Sequence, residues 1–348
     1  MKMDSRKQQI LMAIIHDYIA TAEPVGSRTI ARKYSLGISP ATIRNEMADL
    51  EETGYIEQPH TSAGRIPSER GYRYYVDYLM QREELTNDEQ ELVRQRYEAK
   101  VKGVGEIIQY TGQLLAQLTN CAAVVLSTQT GNTAFRHIQL VQMTTEKALL
   151  IVVMDNSTVH HRMIEISESI TQGDLDTIST VLNAKLQGRT MESIKMTLLK
   201  EIYFELAKHD QILNMALELV SDSLAPDIKD KIYLGGVFNI LNQPEFHNVE
   251  KVKTLLSLLE QEKLVSNIMS DGCRVSGVTV RIGGEISHDQ MRECSMVMAT
   301  YTVDGRPQGS VGVLGPTRMD YARMVTVVDY MTKNLSLALE RFLRGCGK

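Results

Sequence analysis

The chain has 348 residues, 38 Lys+Arg against 43 Asp+Glu, and a formal net charge of −5 with a pI near 6.0. At about 100–200 residues per domain, this length implies two or three domains, and 43% apolar with 23% charged residues excludes general disorder. No run approaches the roughly 18 apolar residues that span a bilayer, MKMDSRKQQ lacks the apolar core of a secretory signal, and Cys121, Cys273, Cys294 and Cys346 have no C-x-x-C spacing, which argues for a reducing cytoplasm and against a disulfide or zinc framework.

Residues 6–20 read as a helix, with Ser5 as cap and Ile10, Leu11, Ile14, Ile15, Tyr18 and Ile19 recurring on one side. Glu23-Pro24-Val25-Gly26 breaks it, and Ser27 caps a short second helix from Arg28 to Lys33. Ser39-Pro40 opens a third, because Ser is a favoured cap and Pro suits the first helical position. This helix ends at Thr53-Gly54. Tyr55-Ile56-Glu57 and Gly64-Arg65-Ile66 read as two short strands around the loop Gln58 to Ala63, and a fourth helix carries Tyr72, Tyr74, Tyr75 and Tyr78. The plan is a winged helix-turn-helix over 1–82.

A helical linker follows over 83–120, with a capping box at Thr86-Asn87-Asp88-Glu89. From Cys121 the pattern becomes α+β, with strands expected at 122–126, 136–143, 148–154, 159–166, 277–282, 295–303 and 310–314. Tyr233 to Leu241 is a further element. Helices are expected at 174–187, 191–224, 249–269 and 320–343. The order suggests a mixed sheet domain, 121–189 with 271–348, interrupted by a mainly helical insert at 190–270.

The acidity is unevenly spread. Residues 1–82 carry eleven basic and ten acidic side chains, a net of +1, and the remainder carries a net of −6. Within the first segment, 1–44 is +4, 45–58 is −5 and 59–82 is +2. On the third helix Ile43, Met47 and Leu50 share the buried side, while Ala41, Asn45, Ala48 and Glu52 face outward, flanked by Thr42 and Arg44. Small residues beside Asn, Arg and Thr let a helix approach base edges: Asn pairs with adenine, Arg with guanine, and Thr touches a thymine methyl. Ser39 and the helix start can meet a phosphate. Ser27, Arg28 and Arg32 are backbone-contact candidates on the second helix, His60 and Arg65 on the wing, where Arg65 is placed to reach a minor groove.

Gly26-Ser27-Arg28-Thr29-Ile30, Ser39-Pro40-Ala41-Thr42-Ile43-Arg44-Asn45-Glu46-Met47 and His60-Thr61-Ser62-Ala63-Gly64-Arg65-Ile66-Pro67 resemble the heat-inducible transcription repressor HrcA family. Gln243-Pro244-Glu245-Phe246, Ile282-Gly283-Gly284-Glu285, Cys294-Ser295 and Gly315-Pro316-Thr317-Arg318-Met319-Asp320-Tyr321 extend the resemblance over nearly the whole chain, although Ile286 stands where family members often carry Asn. The resemblance implies a winged-helix domain, a GAF-like domain and an inserted dimerisation domain. It implies a homodimer on double-stranded operator DNA, an inverted repeat called CIRCE, repressing chaperone operons under modulation by the GroE chaperonin. The alternative is a winged-helix factor whose GAF-like domain responds to a metabolite.

No enzyme is expected, since no nucleophile elbow, P-loop or kinase signature occurs. No cofactor or metal is expected either. His160-His161 falls in a strand, where neighbouring side chains diverge. Gly309, Gly312 and Gly315 accompany a strand and suit close packing better than phosphate binding, and the tyrosine group suits packing of the fourth helix onto the wing and linker.

Overall fold

The computed structural model describes residues 3–61, 63–98, 103–127, 134–154, 159–189, 231–246, 248–272 and 277–345. The chain divides into two compact units, Met1–Ser127 with Ile232–Lys348, and Thr128–Lys231.

The first unit begins with α1 (Ser5–Thr21), α2 (Ser27–Lys33) and α3 (Pro40–Glu52), followed by the β1–β2 pair (Ile56–Glu57, Ile66–Pro67) and α4 (Glu69–Tyr74). The expected order therefore holds. α1 starts at Ser5 itself, with Asp4 at the cap position and no side-chain cap bond, and α2 starts at Ser27, with Gly26 before it. Ile10, Leu11, Ile14 and Ile15 of α1 are fully buried with Ile30 of α2 and Ile43, Met47 and Leu50 of α3. Each fully buried aliphatic side chain contributes about 1.5–3 kcal/mol of transfer free energy, so this apolar side is what assembles the three short helices.

α5 (Asn87–Glu98) and α6 (Val104–Thr119) lead to a five-stranded sheet. The capping box forms: the Thr86 amide donates to Glu89 Oε2 at 3.0 Å, and the Glu89 amide donates to Thr86 Oγ1 at 3.3 Å. The sheet runs in the order β7 (Lys231–Gly235), β3 (Ala122–Ser127), β10 (Arg306–Pro316), β9 (Cys294–Val303), β8 (Val278–Ile282), and the β3–β10, β10–β9 and β9–β8 pairs are antiparallel. Ala123, Val125, Val297, Val311 and Val313 share a core with α6 and the closing helix α10 (Tyr321–Gly345). Their neighbours Ala122, Val124, Leu126, Met296, Met298 and Leu314 pack with Leu255, Leu258, Val265 and Met269 of α8 (Val249–Leu259) and α9 (Glu262–Gly272). Both faces are covered, which is why β3 is an unbroken apolar run. Cys121 and Cys294 are free buried thiols; burial pushes them up to about 11 and about 12.

Three expectations change. The single helix at 249–269 is two helices, turning at Gln261, so that both bury their apolar sides on one sheet face. Tyr233–Leu241 is the end of β7 followed by a 3-10 helix at Val237–Asn242. The three strands expected to join the main sheet instead form a separate one. β4 (Phe135–Gln142), β5 (Lys147–Met154) and β6 (Val159–Glu165) pair antiparallel with each other, and α7 (Gln172–Leu186) packs on them. Residues 128–189 therefore belong to the second unit, and 232–270 to the first. In the second unit Asn183 accepts the Ile138 amide at 2.8 Å and donates to the Ile138 carbonyl, and Ser179 Oγ accepts the Leu140 amide at 3.1 Å. Helix side chains thereby satisfy the edge of β4, which would otherwise template further strand pairing. His160 and His161 are successive positions of β6, opposite Val152 and Ile151. The expected helix at 191–224, Cys273 and Cys346 lie outside the described residues.

The N-terminal helices are fastened to the sheet by the strings that carry the family resemblance. Tyr72 and Tyr321 are buried with ring centroids 5.5 Å apart, so Tyr72 packs α4 onto the closing helix, a partner beyond the wing and linker that the sequence suggests, while Tyr74 meets Tyr55 beside β1 at 5.4 Å. Tyr78 alone among Tyr72, Tyr74, Tyr75 and Tyr78 is exposed. Arg318 donates to Glu245 Oε1 at 2.5 Å and to the Ile19 carbonyl at 2.5 Å, in the last turn of α1 where carbonyls lack intrahelical partners. Arg73 donates to the Val280 carbonyl at 2.8 Å and pairs with Glu285, and the Gly284 amide donates to Glu69 Oε1 at 3.1 Å. At Gly283, φ is +51° and a Cβ would lie 2.1 Å from Glu69 Oε1, so any side chain there expels the Glu69 carboxylate. Gly312 and Gly315 sit inside β10 against Met298 and the Cys121 sulfur, and Gly309 marks a bulge. All three are packing positions. Among the described residues, no helix is long and apolar enough to cross a membrane.

Arg318 is 11% exposed and Glu245 23%, so removing one partner strands the other in a poorly hydrated place. Arg318→Met is expected to cost about 2–3 kcal/mol in urea unfolding, and Arg318→Met/Glu245→Met to recover part of that loss.

Candidate nucleic-acid interface

α3 is set up by its first turn. Ser39 Oγ accepts the Thr42 amide at 3.1 Å and lies 2.9 Å from Thr42 Oγ1, with Pro40 at the first helical position. With Ile43, Met47 and Leu50 buried, Ala41, Arg44, Asn45 and Ala48 are exposed, as the 3.6-residue period requires. Ser39 and Thr42 thus serve each other, with Ser39 exposed and Thr42 half-buried.

The wing is narrower than its sequence suggests. The two residues of β1 pair with those of β2, and Val25, just before α2, forms an additional antiparallel bridge with Arg65. The Val25 amide donates to the Arg65 carbonyl at 2.8 Å and the Arg65 amide to the Val25 carbonyl at 2.9 Å. A Cβ on Gly64 would lie 2.5 Å from the Val25 carbonyl carbon and oxygen, so only glycine allows this approach. Gln58 Nε2 closes the tip, donating to the Thr61 and Ala63 carbonyls at 3.0 Å each. His60 is exposed at that tip.

The acids of 45–58 that face the basic elements are occupied by cations. Glu46 holds Arg6 and Lys7 at 3.4 and 3.3 Å, and Asp49 holds Lys7 at 3.0 Å. The Asp49 and Glu46 carboxylates hold the Lys7 ammonium above its ordinary value, and Asp17 does the same for Lys33. Glu51 Oε2 receives Arg65 Nε at 2.8 Å and Nη2 at 2.7 Å. Arg70 donates to the Thr53 carbonyl at 2.8 Å and lies over the Tyr55 ring. Among the described residues of 3–82, the cations with neither an ion pair nor a hydrogen bond are Arg28, Arg32 and Arg44, all three exposed.

Ser27, Arg28, Arg44 and Arg65 line one cleft of about 460 Å³ between the start of α2, the exposed side of α3 and the wing. Arg32, Ser39, Thr42, Asn45 and His60 lie outside that cleft, and Ser27 is buried at 8% exposure. The pairing of Arg65 with Glu51 and the roles of Val25 and Gln58 carried no signal in the sequence beyond the acidic run itself.

The family model described as the HrcA protein C terminal domain matches residues 105–325. The heat-inducible transcription repressor HrcA of Pelotomaculum thermopropionicum is 69% identical over 348 residues, covering all of both chains. The chain belongs to the HrcA family of heat-inducible transcription repressors. The Desulforamulus reducens HrcA repressor is 62% identical over 345 residues, covering 99% of each chain. A crystal structure described only as a hypothetical protein superposes with a TM-score of 0.61 at 24% identity, covering 98% of this chain and 99% of that one, which shows the shared fold.

Because Gly64 admits no side chain against Val25, Gly64→Ala is expected to break the Val25–Arg65 bridge. Amide exchange read on peptides spanning 20–30 and 58–68 should accelerate in the variant while peptides from β3 and β10 stay protected.

Proposed function

We propose that this heat-inducible transcription repressor occupies an inverted-repeat operator, CIRCE, ahead of heat-shock chaperone operons as a cytoplasmic homodimer, with α3 in the major groove and the β1–β2 wing beside it. Double-stranded DNA is the direct ligand, and repression follows from occupancy that excludes RNA polymerase, with no catalytic step. The observation that carries this reading is the distribution of unpaired charge: Arg28, Arg32 and Arg44 are left free on α2 and α3 while neighbouring cations are neutralised. Exposed guanidinium groups without partners are what phosphate oxygens and guanine edges recruit.

In this reading residues 1–82 are the winged-helix domain, the five-stranded sheet with its helices is the GAF-like domain, and the excursion over 128–231 is the inserted dimerisation domain. The two-fold symmetry of a dimer matches that of the operator, with α3 helices one or more turns of about 34 Å apart. The GroE chaperonin maintains the DNA-binding form, so that its sequestration by unfolded protein lowers repression.

Footprinting of the purified protein on chaperone promoter DNA tests the reading directly. Protection of an inverted repeat is expected, and even coverage without a preferred site would contradict it. Arg44→Ala and Asn45→Ala are expected to lose about 1–3 kcal/mol of discrimination at one base pair per half-site. Arg28→Ala and Arg32→Ala should weaken binding to all duplexes alike and flatten the slope of log K against log salt by about 0.9 for each phosphate that is no longer neutralised.

A further inference from the structure

We infer that Glu51 is a positioning residue for operator binding, and that Arg65 acts through it as a strut between wing and α3 instead of entering a groove. The inference rests on the reading of α3 and the wing as the operator-facing elements. The Arg65 guanidinium sets two nitrogens, Nε and Nη2, on one Glu51 oxygen at 2.8 and 2.7 Å, and the pair is sheltered, at 22% and 34% side-chain exposure. The backbone of Arg65 is held as well, by both hydrogen bonds to Val25, with Gly64 pressed on the Val25 carbonyl. Arg65 is therefore fixed at its main chain to the entry of α2 and at its side chain to the last turns of α3. Those are the two helices that carry Arg28, Arg32 and Arg44.

Electrostatics points the same way. In the cleft shared with Arg28 and Arg44, Arg65 is the guanidinium already neutralised by a carboxylate. Moving Arg65 to DNA would leave the Glu51 carboxylate unpaired beside the phosphate backbone, where like charge is repelled. With the pair intact, the two unpaired guanidiniums of the cleft face the ligand and the wing stays at a set distance from α3. Arg65 is then the residue that makes the wing a rigid flank, and Glu51 the residue that makes Arg65 rigid.

The test uses the full chain and the duplex protected in footprinting, with affinity read by fluorescence anisotropy across a potassium chloride series. Glu51→Gln and Arg65→Ala are each expected to weaken binding by about tenfold while keeping the wild-type salt slope. The charge swap Glu51→Arg/Arg65→Glu is expected to recover affinity to within about threefold of wild type, which a purely local fold defect would not do. Glu51→Gln is isosteric, and equal melting temperatures keep the comparison free of unfolding. A salt slope that falls by about 0.9 per protomer in Arg65→Ala, with no recovery in the swap, would place Arg65 on the DNA and overturn the inference. Wild-type affinity in Glu51→Gln would overturn it as well. Arg44→Ala reports separately on α3: unchanged affinity and discrimination in that variant would refute the operator-facing reading itself.

Discussion

The placement of the N-terminal helices depends on the seat that Tyr321 and Arg318 provide for α1 and α4. Tyr321 is fully buried, its hydroxyl donates to the Thr317 carbonyl at 2.6 Å, and its ring meets Tyr72. Arg318 beside it spans from Glu245 to the Ile19 carbonyl in the last turn of α1. Burial holds the Tyr72 and Tyr321 phenols well above their ordinary range. One apolar core thus runs from the α1–α3 bundle through this contact to α10 and the inner face of the sheet. An N-terminal module joined only by a tether would be free to turn. This one is pinned at Arg318, at Arg73 with Glu285, and at Glu69 with Gly284.

That arrangement gives the downstream strings a physical meaning. Gln243 to Phe246, Ile282 to Glu285 and Gly315 to Tyr321 supply the carboxylates, the guanidinium, the tight glycine and the ring that hold the N-terminal module in place. Charge is organised on the same principle. Acids on the rear and far end of α3 neutralise Arg6, Lys7 and Arg65, leaving the guanidiniums of α2 and the first turns of α3 open. A net of −5 across the chain is compatible with a nucleic-acid ligand because, among the described residues of 3–82, the unpaired cations all lie on α2 and α3.

The local structure is largely legible in the sequence. Ser39-Pro40 announces the start of α3, the spacing of Ile43, Met47 and Leu50 determines which side is buried, and Thr86 with Glu89 announces α5. What stays hidden are matters of pairing. Strand alternation states which side of β4, β5 and β6 is apolar but not which strands they join, so a linear reading places them in the main sheet. The turn at Gln261 has neither Gly nor Pro to mark it; the two flanking helices bend there because both must reach one sheet face. Arg65 reads as a free wing arginine because nothing in a linear charge pattern shows that Glu51, fourteen positions earlier, comes within 2.7 Å of it.

In the proposed function the exposed side of α3 enters the major groove of an inverted repeat. A cleavage reagent on α3 measures this most directly. With Cys273 and Cys346 replaced by Ser, and with the Cys121 and Cys294 thiols buried and protonated, Ala48→Cys offers one accessible thiol for an iron chelate. Strand scission is expected in two clusters, one within each half-site and related by the operator dyad. Scission confined to the flanks of the repeat, or none from a complex shown to be bound, would contradict it.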